Sequence, residues 1–96
     1  MVKFMGVEID MLDYQDIRND IIVDLDEYVR LHRPVGGFLM ACLENDLVWA
    51  VSKADYYNIQ VLPAIVKFLY NKVPGGCWGS KEIVNKWLSK GGENRG

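Results

Sequence analysis

The segment from Gly37 to Lys53 constrains the fold most, because its apolar residues cover almost every side of a helix. At about 100° per residue, apolar side chains recur on nearly all faces of this segment. They are Phe38, Leu39, Met40, Cys42, Leu43, Leu47, Val48, Trp49 and Val51. Such a helix lies at the centre of a bundle or is shared between protomers. Since a chain of 96 residues can hardly bury every side of it, we expect a homo-oligomer.

Amphipathic segments around this helix predict an all-α fold, a small bundle of about four helices. The helices are predicted over residues 13–31, 37–53, 55–72 and 80–90. Their buried faces are predicted to contain Ile17, Ile21, Leu25 and Tyr28 in the first helix, Ile59, Leu62, Val66 and Leu69 in the third, and Ile83, Val84, Trp87 and Leu88 in the last. Ile65, Phe68, Tyr70 and Val73 are predicted to add to the buried face of the third helix. Asp13 and Ser80 are N-cap candidates, and Pro63 is expected to kink or restart the third helix.

The two ends of the chain carry weaker patterns. Residues 1–11 alternate weakly between apolar and polar side chains, which predicts a short strand or an extended arm. Residues 91–96 are polar and rich in glycine, which predicts a flexible tail. The interpretation is a single helical domain over residues 1–90 followed by this tail.

Composition excludes several classes of function. The net charge is −2, which lacks the basic excess of a general nucleic-acid-binding surface. No apolar run approaches about 20 residues, so neither a membrane span nor a signal peptide is expected. Cys42 and Cys77 are not closely spaced, and we interpret both as reduced thiols in a cytoplasm.

The sequence does not predict an enzyme. His32 is the one histidine of the chain, and it stands at a predicted helix end rather than beside a nucleophile. One histidine and two distant cysteines also make a poor zinc site. We therefore expect no catalytic residues, no metal and no cofactor, with His32 a solvated helix-end residue.

Glycine-rich turns run into predicted helix starts at two places, residues 33–38 and 74–80. The unpaired N–H groups and positive dipole of a helix start favour an anion, and nearby guanidinium or indole groups add pairing and stacking. Neither turn matches a Walker A loop or a dinucleotide fingerprint, and plain helix connectors remain the alternative. The predicted ligand-binding residues are Arg30, Arg33, Gly36, Gly37, Gly76, Trp78, Gly79 and Ser80.

Two further sets of polar residues leave alternatives open. An acidic stripe follows one side of the first helix and is either a solvated face or a docking surface for a basic partner. It comprises Asp13, Asp16, Asp20, Asp24 and Glu27. A second set, Asn45, Asp46, Asp55 and Asn58, either caps and joins helices or lines a polar pocket.

A combined pattern covers residues 28–88. It consists of Gly36-Gly37-Phe38-Leu39, Leu43-Glu44-Asn45-Asp46-Leu47, Ala54-Asp55, Asn58, Pro74, Trp78-Gly79-Ser80 and Trp87. This pattern resembles a widespread group of small proteins encoded by bacteriophages and prophages. The resemblance implies expression in the cytoplasm of an infected bacterium, where small oligomeric phage proteins often neutralise host defences.

Two functional hypotheses follow from these observations. The first is a non-enzymatic counter-defence protein that sequesters a small anionic, nucleotide-like immune signal at the glycine turns. The alternative is an acidic interaction inhibitor that binds and blocks a host defence protein through the stripe on the first helix.

Overall fold

The computed structural model describes residues 2–10 and 14–93. These residues form a two-stranded antiparallel sheet and five α-helices, which are β1 (Val2–Phe4), β2 (Val7–Ile9), α1 (Asn19–Leu31), α2 (Gly37–Leu43), α3 (Leu47–Lys53), α4 (Tyr56–Lys72) and α5 (Lys81–Glu93). A 3₁₀ turn, Gly75–Cys77, joins α4 to α5. The prediction of a mostly helical fold is confirmed, whereas a simple four-helix bundle is not what the chain forms.

The N-terminal residues form a hairpin that packs onto the helices. Met5 and Gly6 both have positive φ at the turn, which suits the twist of a two-residue hairpin. Phe4 is buried, and its ring meets that of Phe68 edge-on at 5.0 Å between centroids. The Met5 amide donates a hydrogen bond to Asp26 Oδ1 at 2.6 Å, which ties the hairpin turn to α1. Residues 1–11 were predicted as a strand or an arm, and the described part is a docked hairpin.

Helix α1 begins later than predicted. It starts at Asn19, and the predicted cap Asp13 lies outside the described residues. Ile17 is nevertheless buried, because the chain before the helix forms a turn in which its amide donates to the Tyr14 carbonyl at 2.9 Å. The apolar stripe was therefore predicted correctly, but its first turn is not helical.

The predicted helix over residues 37–53 is wrong as a single element, because it breaks at Asn45. The Asn45 amide donates to the Cys42 carbonyl and the Asp46 amide to the Ala41 carbonyl, a Schellman ending for α2. Asn45 has a φ of 59°, a conformation that asparagine tolerates better than most residues. The Asp46 carboxylate then caps α3 by accepting from the Trp49 amide at 3.0 Å. The two polar residues thus end one helix and start the next.

Helix α4 runs through Pro63 without a restart, and it buries part of the predicted face. The buried residues are Val61, Ile65, Phe68 and Leu69. Ile65, Phe68 and Leu69 were predicted to be buried, whereas Ile59, Val66 and Tyr70 of the same prediction are exposed. Asp55 caps the helix by accepting from the Asn58 amide at 2.7 Å, as the capping interpretation expected.

Helix α5 packs closely against the end of α1. Ser80 Oγ accepts from the Ile83 amide at 3.2 Å, so the predicted N-cap is confirmed. The helix extends through Glu93, so residues 91–93 are helical rather than part of a tail. A Cβ added at Gly91 would stand 2.9 Å from the Cβ of His32, so only glycine permits this approach.

Candidate functional site

The two arginines of the predicted anion site are paired with carboxylates. Arg30 donates from both Nε and Nη2 to Asp26 Oδ2 at 2.8 Å. Arg33 Nη1 lies 3.2 Å from Glu27 Oε2. Both guanidinium groups therefore already have an anionic partner within the protein.

The first glycine turn opens onto a cleft between α1 and α2. This α1–α2 cleft has a volume of about 240 Å³ and is lined by Arg18, Asp20, Ile21, Asp24, Gly36, Gly37, Phe38, Leu39 and Asn58. Gly36 is the N-cap of α2, and no side chain caps the amides of that helix start. Neither Arg30 nor Arg33 lines the cleft, so the structure does not bring the predicted cations to the predicted turn.

The charge of the α1–α2 cleft is negative. Two carboxylates, Asp20 and Asp24, face one guanidinium, that of Arg18. Arg18 is already engaged, since its Nε lies 3.4 Å from Asp20 Oδ1 and its guanidinium carbon lies 4.2 Å over the Tyr57 ring. Burial raises the pKa of Asp24 above its ordinary value of 3.8, and the charges of Asp20 and Glu27 raise it further. The charged side chains that line this cleft therefore sum to a negative charge.

The second glycine turn uses its polar groups inside the protein. The Tyr28 hydroxyl donates to the Cys77 carbonyl at 2.7 Å, and the Gly79 amide donates to the Leu43 carbonyl at 2.7 Å. Ser80 caps the start of α5, and Trp78 is half-buried against the core. Gly76 contributes open backbone to the 3₁₀ turn and has nothing within 4 Å of its Cβ position. The interpretation as a structural connector fits this turn.

The two turns lie at opposite ends of α2. Gly36 and Gly37 begin the helix, whereas Gly79 is bonded to Leu43, its last residue. Six residue steps of about 1.5 Å separate these ends by roughly 9 Å along the helix axis. The lining of the α1–α2 cleft accordingly includes Gly36 and Gly37 but none of Gly76, Trp78, Gly79 and Ser80.

His32 is a structural residue rather than the solvated one that was predicted. It is the C-cap of α1, with a φ of 56°, and it is half-buried. Its Nδ1 donates to the Trp87 carbonyl at 2.9 Å, and the two rings lie 4.4 Å apart. Within residues 2–10 and 14–93, no group of three metal-ligating side chains is present.

Cys42 and Cys77 are free and buried. Burial raises the pKa of Cys42 and of Cys77 to about 11. Since the thiolate is the nucleophilic form, neither thiol is activated for chemistry at neutral pH.

A second candidate surface lies on α3 and α4. Leu47 and Ala50 of α3 and Leu62 and Val66 of α4 line one small cavity of about 40 Å³, so the two helices share this face. We define the α3–α4 surface by six exposed apolar side chains of these two helices, two of which, Leu47 and Val66, line the cavity. They are Leu47, Val48, Val51, Ile59, Val66 and Tyr70. The signal was present in the sequence, because residues 37–53 carry more apolar positions than one monomer can bury. On α4, the exposed residues Ile59 and Val66 were predicted to belong to the core of the single chain.

Comparisons with models of protein families, with curated proteins and with solved structures found no match. The resemblance to small phage proteins therefore stays a prediction. Among the described residues, no helix is both long and apolar enough to cross a membrane.

Proposed function

We propose that this protein is a non-enzymatic inhibitor that binds a basic segment of another protein in the α1–α2 cleft. The observation that supports this proposal is the excess of carboxylates in the cleft, where Asp20 and Asp24 face one engaged arginine. A lysine or arginine of the partner would supply the missing positive charge. Charge-assisted hydrogen bonds of this kind are about twice as strong as neutral ones.

The walls of the cleft suit a long cationic side chain. Ile21, Phe38 and Leu39 supply apolar surface for the methylene stem, and Asp20 and Asp24 supply acceptors for the charged end. Asn58 adds an amide at the same cleft. A bound cation also relieves the repulsion that raises the pKa of Asp24, so binding and deprotonation of this carboxyl are coupled.

The acidic surface continues beyond the cleft. Asp16 lines a neighbouring cavity of about 310 Å³ together with Tyr57, Gln60 and Val61. Tyr57 holds this region in place, since its hydroxyl donates to the Asp16 carbonyl at 2.8 Å and accepts from the Arg18 amide at 2.7 Å. An extended negative surface accelerates encounter with a basic partner, an effect that salt screens.

The biological setting of this activity rests on the resemblance to phage proteins. In that setting the protein works in the cytoplasm of an infected bacterium, and its target is a host defence protein with an exposed basic segment. A non-catalytic role fits the environments of three residues. His32 makes a structural hydrogen bond, and Cys42 and Cys77 are buried.

Sequestration of a small anionic nucleotide stays a prediction. The open amides at Gly36 and Gly37 favour it, whereas Asp20 and Asp24 in the same cleft oppose it. One titration distinguishes the two hypotheses, because they require ligands of opposite charge.

The experiment compares short peptides containing arginine or lysine with a panel of cyclic and ADP-ribose-type nucleotides. Calorimetry and thermal shift are measured with each ligand, because a ligand at 100 times its Kd adds about 2.7 kcal/mol of stability. We expect basic peptides to bind, with affinity that falls as salt rises, and nucleotides to give no shift. Stabilisation by nucleotides without binding of basic peptides would refute the proposal and favour the small-ligand hypothesis.

A pair of variants locates the binding. The double variant Asp20→Asn and Asp24→Asn removes both carboxylates of the cleft and should weaken peptide binding roughly tenfold or more. The matched control, Glu8→Gln with Glu82→Gln, removes two exposed carboxylates that do not line the cleft. Equal loss of binding in both double variants would show that only net charge matters.

A further inference from the structure

We propose that the α3–α4 surface is the interface through which two copies of this chain form a symmetric dimer. The inference is independent of the proposed function, because the α1–α2 cleft and the α3–α4 surface share no lining residue. It rests on the amount of apolar surface, on the place of this surface in the fold and on the charges around it.

The surface is large and apolar. The exposed fractions are 66% for Leu47, 78% for Val48 and 78% for Tyr70, and they lie between 40% and 46% for Val51, Ile59 and Val66. Taking about 120 Å² for a fully exposed aliphatic side chain and about 150 Å² for an aromatic one, these fractions give roughly 450 Å² of apolar surface. That area lies within the range of the largest apolar patch on a typical monomer, about 300–600 Å².

The same area matches what one half of a dimer needs. A standard interface uses about 800 Å² from each partner, and about 65% of a homodimer interface is apolar. The apolar share of one partner is therefore about 500 Å², close to the area that the α3–α4 surface offers. The six side chains thus suffice for one face of a stable dimer.

The shape of the surface also favours a second copy. A stripe of α4 side chains at helical spacing, Ile59, Leu62, Val66 and Tyr70, stands beside the exposed α3 side chains, with a shallow cavity between the two helices. In a twofold arrangement the ridge of one copy packs into the groove of the other, because the same patch serves both partners. Burial of this stripe would explain why α4 is apolar on two faces.

Charges of both signs lie on the two helices of this surface. Asp46 lines the cavity on the α3 side, and Lys67 is an exposed residue of α4 next to Val66 in sequence. In a twofold interface, an acidic side chain of each copy that lies opposite a basic side chain of the other forms the same pair twice. A surface meant for a strongly basic or acidic partner would carry one sign of charge instead.

The test measures the mass of the protein in solution. The chain has a mass of 11.0 kDa, so sedimentation or light scattering at tens of micromolar should give about twice this value. The midpoint of thermal unfolding should also rise with protein concentration, as expected when folding and association are linked. A mass of one chain at several hundred micromolar would overturn the proposal.

Matched lysine variants locate the interface. Leu47→Lys and Val48→Lys place a charge on the α3–α4 surface at positions that are exposed in the single chain, so each variant should fold as a monomer. Val23→Lys alters a valine on α1 that is 51% exposed and should leave the dimer intact. Circular dichroism checks folding, and the second α3 variant decides the question if the first does not fold.

Two results would contradict this assignment. One is a dimer that survives both α3 variants, and the other is a dimer that Val23→Lys breaks equally. The double variant Asp20→Asn and Asp24→Asn should remain dimeric. Dimer formation and basic-peptide binding are therefore tested by different variants, so either proposal can fail without the other.

Discussion

Replacement of Tyr28 by phenylalanine tests how the second glycine turn is held. Tyr28 and Cys77 are both fully buried, and the Tyr28 hydroxyl donates to the Cys77 carbonyl at 2.7 Å. Burial raises the pKa of Tyr28 above its ordinary value of 10.0, so the hydroxyl remains a donor at neutral pH. Tyr28→Phe keeps the ring and removes the donor, which leaves a buried carbonyl without its partner.

The expected loss is about 1–3 kcal/mol, the typical effect of an orphaned buried polar group. For a domain of this size, 1 kcal/mol lowers the midpoint of thermal unfolding by roughly 4–8 °C. Equilibrium urea unfolding, followed by circular dichroism at one fixed protein concentration, measures the change in free energy. The slope with urea should stay constant, because the surface exposed on unfolding does not change.

Tyr56→Phe is the matched control, since Tyr56 is 84% exposed, lies outside the α3–α4 surface and has no described hydrogen bond at its hydroxyl. It should remain within about 0.5 kcal/mol of the parent protein. A Tyr28→Phe variant as stable as Tyr56→Phe would refute the reasoning, because the Cys77 carbonyl would then not depend on the hydroxyl.

Four further substitutions have defined outcomes in the same unfolding assay. Because the pKa of Asp24 is raised in the folded state, its contribution to stability is full below pH 3.8 and is lost as pH rises through the folded-state pKa. Asp24→Asn should therefore be more stable than the parent at neutral pH. Its free energy of unfolding should also change less between acidic and neutral pH. Gly91→Ala should lose about 1–3 kcal/mol by overpacking, because its Cβ would stand 3.0 Å from the His32 carbonyl oxygen. Gly76→Ala, where the Cβ meets open space, should stay within about 0.5 kcal/mol. Asp46→Ala should lose about 1 kcal/mol, because it removes the cap of α3.

Local signals in the sequence identified the helices well. Ser80 and Asp55 cap the helices that they were predicted to cap. A short polar side chain directly before a run of apolar residues at helical spacing is a typical N-cap signal. The same rule applied at Asn45 and Asp46 would have found the break between α2 and α3. A single helix over residues 37–53 was predicted instead, because apolar residues continue on both sides of Asn45 and Asp46.

The choice of buried face on α4 could not be made from the sequence. Ile65 and Phe68 lie on one apolar side of this helix, and Ile59 and Val66 lie on another. Periodicity shows that a side is apolar but does not show which neighbour covers it. In this chain the N-terminal hairpin covers part of the buried side of α4, since the Phe4 ring packs on Phe68.

The candidate site was predicted least well, because its charges come from residues distant in sequence. Gly36 and Gly37 do open onto a cleft, as the glycine turn indicated. The sequence neighbours Arg30 and Arg33 pair instead with Asp26 and Glu27 of α1, the helix that also contains Arg30. Asp20 and Asp24 reach the cleft through the folding of α1 against α2, which no short motif reports.

The slight anchoring of α3 has a consequence for motion. Of its seven side chains, all of which the structure describes, Ala50 is the one that is buried. Little apolar contact is therefore lost when this helix detaches, and its amides should exchange hydrogen with solvent through local opening, well before those of α4. Hydrogen exchange that slows in α3 as the protein is concentrated would report the helix being clamped by a neighbouring molecule.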